Sequence, residues 1–294
     1  MHNKLEKFMT EKITIIDERL HQLLSPIDVS TTLKSAMTYS VDAGGKRIRP
    51  LLVLATLEDL GVESVDAVTV ACAVELIHTY SLIHDDLPSM DDDDFRRGKP
   101  TNHKVYGEAV AVLAGDALQA LAFDGLTRLK STPAEQVVRI IQLLTEAAGA
   151  QGMVGGQMLD MEGEAKPLTL TEMETVHVHK TGALLSFSIE AAAILANLNE
   201  EKTQKLKEYA WNIGLAFQIK DDILDITATT EELGKTAGSD SLSDKSTYPS
   251  LLGLDGAEER LAAHHQRAID SLEFLGTNDS LLALFADYIV HRKS

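Results

Sequence analysis

Between Val65 and Asp86 apolar residues recur at the three-to-four spacing of a buried helix, and that helix runs straight into a block of acid. Val68, Ala71, Cys72, Leu76, Leu82 and Ile83 keep the period, together with Glu75 and Thr79. Six aspartates follow within ten residues (Asp85, Asp86 and Asp91 to Asp94), and then Arg96-Arg97-Gly98. A chain that buries this helix must set Asp85 and Asp86 at its C-terminal end, where the helix dipole disfavours negative charge. Adjacent carboxylates also raise one another's pKa unless a cation sits between them. Two outcomes fit. Most acidic runs are solvated surface. The other outcome is a metal–phosphate site, since hard ions such as Mg²⁺ take carboxylate oxygens together with phosphates, and arginine forks bind the same oxyanions.

Composition narrows the field. The 294 residues are 44% apolar and 24% charged, ordinary for a globular chain, and enough to bury a large core. A net charge of -18 makes nucleic acid a poor partner. Cys72 is the single cysteine, so no disulfide framework or zinc cluster is expected and a reducing cytoplasm fits. Met1 to Leu24 lacks a signal-peptide core, and no apolar run approaches the roughly 20 residues of a membrane span. A cytoplasmic protein with no membrane span is expected.

Helical periods fill the chain. One runs over Lys4 to Leu24 and closes at Pro26; Ser30 or Thr31 caps another to about Asp42; Leu51 to Leu60 is a third. Tyr106 to Lys130 and Pro133 to about Met153 follow, with Gly152, Gly155 and Gly156 marking a kink or close backbone approach before Gln157 and Asp160. Thr171 with Glu174 suggests a capping box for a helix to Leu198, interrupted at Lys180-Thr181-Gly182. Glu201 to Thr227, Glu258 to Leu275 and Ser280 to Lys293 complete the set. Thr229 to Tyr248 is polar and reads as a loop or lid. No alternating strand pattern or repeat stands out. One all-α domain over 1–294 is the expectation.

A second acidic cluster decides between the two outcomes for the first. Asp221 and Asp225 are i, i+4 on a helix and share one face about 6 Å apart, with Asp222 beside them. Facing helices in bundles build metal sites from inward carboxylates, so two acidic helix ends across a cavity would suit several divalent ions around one diphosphate.

Asp85-Asp86-x-x-x-x-Asp91 with Arg96-Arg97-Gly98, and Phe217-Gln218-x-x-Asp221-Asp222-x-x-Asp225, resemble the two aspartate-rich motifs of the trans-prenyl diphosphate synthases. Gly44-Gly45-Lys46-Arg47-x-Arg49-Pro50, Lys180-Thr181-Gly182 and Gly234-Lys235 match further motifs of that family in order, over about Gly44 to Gly253. The four-residue spacer before Asp91 resembles the bacterial short-chain, farnesyl-forming type. The resemblance implies an isoprenoid synthase-like helical bundle around a central cavity, and a homodimer in which the apolar Tyr106 to Leu129 stretch could form the interface.

It also implies a reaction. An allylic diphosphate ionises, isopentenyl diphosphate attacks the cation, and a proton is lost, to the released diphosphate in this family. Asp85, Asp91 and Asp221 are the foremost Mg²⁺ ligands and Asp86, Asp222 and Asp225 support them, around about three ions per site, with Mn²⁺ able to substitute. Arg96, Lys180 and Lys235 would hold the allylic diphosphate; Gly45, Lys46, Arg49, His78 and Arg97 would hold isopentenyl diphosphate without metal. Thr181 and Gln218 would stabilise the cation as preorganised dipoles. Tyr80, with Ser81, would set chain length. Tyr80 lies about 7.5 Å below Asp85 along the helix, but about 140° away around it, so the product tail must cross toward a neighbouring helix to reach it. The remaining histidines, His264-His265 and His177-x-His179 included, read as solvated. A geranylgeranyl-forming synthase, a terpene cyclase, a non-catalytic partner subunit and a plain divalent-cation binder are the alternatives; the basic set Lys46, Arg49 and Arg97 argues against the cyclase.

Overall fold

A computed structural model describes residues 3–164, 166–228, 246–276 and 279–292. Thirteen α-helices appear among them: α1 (Asn3–Leu24), α2 (Thr31–Val41), α3 (Ile48–Asp59), α4 (Ala67–Asp85), α5 (Asn102–Tyr106), α6 (Glu108–Thr127), α7 (Ala134–Ala148), α8 (Met153–Gly163), α9 (Leu170–His177), α10 (Ala183–Leu195), α11 (Glu200–Thr227), α12 (Tyr248–Asp270) and α13 (Leu281–His291). The protein is all-α, apart from a two-stranded antiparallel ribbon of β1 (Phe95–Arg96) and β2 (Lys99–Pro100). Two-residue strands are too short to show an alternating pattern. What makes the ribbon is its turn, with Arg97 at φ 52 and Gly98 at φ 74, the double positive φ of a tight hairpin.

The chain forms two compact units, an N-terminal one (residues 7–54 and 63–141) and a C-terminal one (1–6, 55–62 and 142–294). In the N-terminal unit α4 is the core helix, with thirteen buried residues, and packs along α6, which α2 also contacts. By length and mean hydropathy α4 and α6 would each suffice to cross a bilayer, although polar residues interrupt both and neither is an unbroken apolar run. Most of α4 is instead buried within its unit. In the C-terminal unit α11 is central, lying against α10, α12 and α13. Asp59 accepts the Leu281 and Leu282 amides at 2.7 and 2.8 Å, satisfying the open N-terminus of α13.

Several boundaries differ from expectation for local reasons. The capping box is Thr169 with Glu172, not Thr171 with Glu174. Glu174 instead takes Arg260 at 2.7 Å. Gly107 (φ 86) splits α5 from α6, and the expected Pro133 to Met153 helix ends at Ala148 before a new one starts at Met153. Capped by Thr247, α12 starts ten residues before the expected Glu258, and Gly253 kinks it. The loop expected over Thr229 to Tyr248 lies outside the described residues up to 245.

Candidate active site

In the N-terminal unit, α4 stops where Pro88 bars a further turn, and the chain folds back so that the Asp91 amide donates to the Asp85 carbonyl at 2.9 Å. The two foremost ligand candidates are thus neighbours. Asp86 is buried and turned to Arg96, whose Nε and Nη2 donate to its Oδ1 at 2.6 and 2.5 Å. Burial pushes the Asp86 pKa up and Arg96 works against that shift. Asp92 sits in the left-handed region and bonds back to the Leu87 carbonyl; Asp94 pairs with Lys104 at 2.6 Å; the Asp93 and Asp94 carbonyls accept the Thr101 hydroxyl. These three build the loop.

Beside α4 in the same unit lies the basic segment. Gly44 and Gly45 have φ of 77 and 127, and a Cβ on Gly45 would stand 2.5 Å from the Arg97 guanidinium carbon. Arg97 also donates to the Gly44 carbonyl. Lys46 is exposed, whereas Arg47 is buried, with its head between Glu75 and Asp17. Burial, followed by the charges of Arg49, Arg97, Arg96 and Arg47, holds the His78 pKa well below the imidazole range. Four arginines bear on one histidine, and two of them, Arg47 and Arg96, are also paired with carboxylates, Glu75 and Asp86.

Tyr80 leaves α4 on another side, 6% exposed, edge-on to His84 at 5.6 Å. Burial raises its pKa. Ser81 donates to the His78 carbonyl at 2.9 Å, a bond within its own helix.

In the C-terminal unit, Val178–Gly182 is a π turn between α9 and α10, a form frequent at functional sites. It displays Lys180, which pairs with Asp160 of α8 at 2.6 Å, and Thr181, whose hydroxyl donates to Gln218 Oε1 at 3.4 Å. Gly156 makes the approach of α8 possible, because a Cβ there would lie 2.1 Å from the Lys180 nitrogen. On α11, Gln218 donates to one oxygen of Asp222 at 3.1 Å and the Tyr248 amide to the other at 3.0 Å. Asp225 is also buried. Asp221 is the exposed one, 39% by side chain, and takes Arg292 Nη2 at 2.5 Å. Asp160, His177, Lys180, Thr181, Gln218, Asp221 and Asp222 line a cavity of about 390 Å³, room for a small phosphorylated ligand. Lys235 lies outside the described residues.

Asp160, Tyr248 and Arg292 join the site only through the fold, Arg292 meeting Asp221 from 71 positions away. Glu75 carries a sequence signal, a carboxylate on the core period of an apolar helix. The solvated reading of the histidines fails at His264, which is buried against Asn212 at 2.9 Å, and at His103, which is also buried. Adjacent His265 is exposed enough to pair with Asp287. No three His, Cys, Asp or Glu side chains form a ready-made metal cage among the described residues.

A family model described as polyprenyl synthetase matches residues 30–273. A farnesyl diphosphate synthase of Geobacillus stearothermophilus is 48% identical over 98% of this chain and 98% of its own. A chloroplastic geranylgeranyl pyrophosphate synthase of Capsicum annuum is 47% identical over 97% of this chain and 78% of its own. Among solved structures, an FPP/GFPP synthase of Zymomonas mobilis superposes with a TM-score of 0.88 at 42% identity, over 99% of this chain and 100% of that one.

Proposed function

The chain belongs to the polyprenyl synthetase family, and from that premise we propose a short-chain trans-prenyltransferase that makes (E,E)-farnesyl diphosphate from isopentenyl and dimethylallyl or geranyl diphosphate. The carrying observation is the pair of acidic segments, each set beside the cations that two diphosphates need. In the proposed reaction the allylic C1–O bond breaks, the isopentenyl double bond attacks C1, and a proton leaves to the released diphosphate. Lys180, Arg96 and Lys235 bind the allylic diphosphate. Thr181 and Gln218 direct their dipoles at the developing cation. Gly45, Lys46, Arg49, His78 and Arg97 hold isopentenyl diphosphate.

The donors fit Mg²⁺. All are hard oxygens, Asp85 adjoins Asp91 and Asp221 lines the cavity, which suits an ion that takes carboxylates together with waters and substrate phosphates. Asp85, Asp91 and Asp221 would hold it, with Asp86, Asp222 and Asp225 supporting, at about three ions per site. Bound Mg²⁺ supplies charge neutralisation of the departing diphosphate. A single functional domain over 1–294, a cytoplasmic location and a homodimer belong to the same reading. Val112 and Leu113, exposed on α6, support the homodimer and light scattering tests it.

The deciding experiment is incubation with isopentenyl diphosphate, each allylic diphosphate and Mg²⁺, with products separated by chain length and Mn²⁺ tried after chelation. A C15 product is expected; no product at all would sink the reading. A C20 product would instead favour the geranylgeranyl-forming alternative, which the Capsicum relative keeps in view. Tyr80→Ala should shift product toward C20, and an unchanged C15 product would remove Tyr80 from the chain-length role.

A further inference from the structure

Glu75 is a buried carboxylate in an apolar helix, and the proposed reaction does not use it. It stands three residues before His78, hence on the same face of α4. Arg47 Nη1 donates to Glu75 Oε1 at 2.7 Å, and both side chains are 3% exposed. The same guanidinium donates to the Val41 carbonyl at 2.7 Å and reaches Asp17 from Nε and Nη2 at 3.1 and 3.0 Å. Burial opposes the charge on Arg47, yet Glu75 and then Asp17 outweigh it and hold its pKa above the ordinary value.

Arg47 has φ 50. A residue with a Cβ avoids that region, and it persists only where the surroundings over-determine it. Here they do. The Arg47 side chain is drawn into the core by Glu75, while Arg97 closes on the other side of the turn through the Gly44 carbonyl and the empty Cβ position of Gly45. Lys46 and Arg49, on either side of Arg47 in sequence, take their placement from a turn clamped between two guanidinium groups.

We propose that Glu75 is a positioning residue for the isopentenyl diphosphate cradle, acting through Arg47 to hold the Gly44–Arg47 turn in its left-handed geometry. This rests on the reading of Lys46, Arg49, His78 and Arg97 as that cradle. Arg47 therefore differs from the basic residues beside it: its charge is used inward, and it holds the turn without touching substrate.

The test uses the full chain with Glu75→Gln and the double variant Arg47→Met/Glu75→Leu, which removes the pair without leaving a lone buried charge. Calorimetry gives the Kd of isopentenyl diphosphate in chelator, and steady-state kinetics give kcat and both KM values. Loss of the charge-assisted bond should weaken isopentenyl diphosphate Kd and KM by about ten- to a hundredfold. Both kcat and the allylic KM should stay within about twofold. A folded double variant with unchanged Kd overturns the proposal. So does a uniform fall in all parameters that tracks lost folded protein, or failure of both variants to fold, since the pair would then serve the fold alone. If the unmodified chain binds no isopentenyl diphosphate in chelator, the cradle reading fails instead, which the same titration separates from failure of Glu75.

Discussion

The first acidic segment carries its carboxylates from the last residue of α4 into a loop and pairs them locally. Arg96 reaches Asp86 from ten residues away, Lys104 reaches Asp94, and backbone turns bring Asp91 beside Asp85. The second carries them on the unbroken helix α11, where Gln218 meets Asp222 from one turn away and the other partners come from far along the chain. The Tyr248 amide satisfies Asp222 and Arg292 pairs with Asp221. Burial divides both segments: Asp86 in the first and Asp222 and Asp225 in the second are buried, while Asp91 and Asp221 are left accessible. The proposed foremost ligands are thus the accessible members, and the buried ones are those placed in support.

That sorting can be broken by kinetics. Asp85→Asn and Asp221→Asn should each lower kcat by about a hundred- to a thousandfold at saturating Mg²⁺, the scale of losing a group that stabilises transition-state charge. Asp92→Asn should cost less than about threefold. Equal losses at Asp85 and Asp92 would erase the division between ligands and loop builders.

The arginines should divide in stability. Arg96→Met leaves Asp86 buried and unpaired, so urea unfolding should show a loss of about 3 kcal/mol. Acid probes the ground behind the second segment. His264 backs α11 through Asn212, and burial, then Arg260 and Arg267, bring its pKa to about 4. The unfolded chain, titrating near 6.5, binds the proton first, so this contribution is full above about pH 6.5 and fades as pH falls toward 4. At pH 5 the loss should be about 2 kcal/mol. His264→Gln should flatten that part of the profile; an unaltered slope would place the titration elsewhere. The smallest effect belongs to Arg292→Met, about 1 kcal/mol or less, because Asp221 is 39% exposed and screened. A larger loss there than at Arg96 would reverse the contrast between the segments.

Much of this was legible because its causes are local. The α4 period, the Ser30 cap, the interruption at Lys180 and the acid pair on α11 each depend on residues within a few positions of one another. The Arg96–Asp86 and Arg292–Asp221 pairs show where legibility ends. The first lies within one short loop; the second needs the fold to carry α13 back to α11. His264 and His265 make the same point, for adjacent residues of one type take opposite environments that only the packing of α12 decides. The capping box was displaced by two residues because Thr169 and Thr171 offer the same chemistry, and the contact of Glu174 with Arg260 decides between them.

The π turn at Val178–Gly182 is a helix with one residue more than its hydrogen-bond ladder can use. Deleting a residue there would let α9 and α10 merge into one α-helix and regain regular bonding. It would also turn His177 and Glu174 by about 100° relative to α10 and carry Lys180 away from Asp160. The segment is a place where the shorter chain should be the more stable one and the poorer catalyst, so its length is under opposing pressures from fold and reaction.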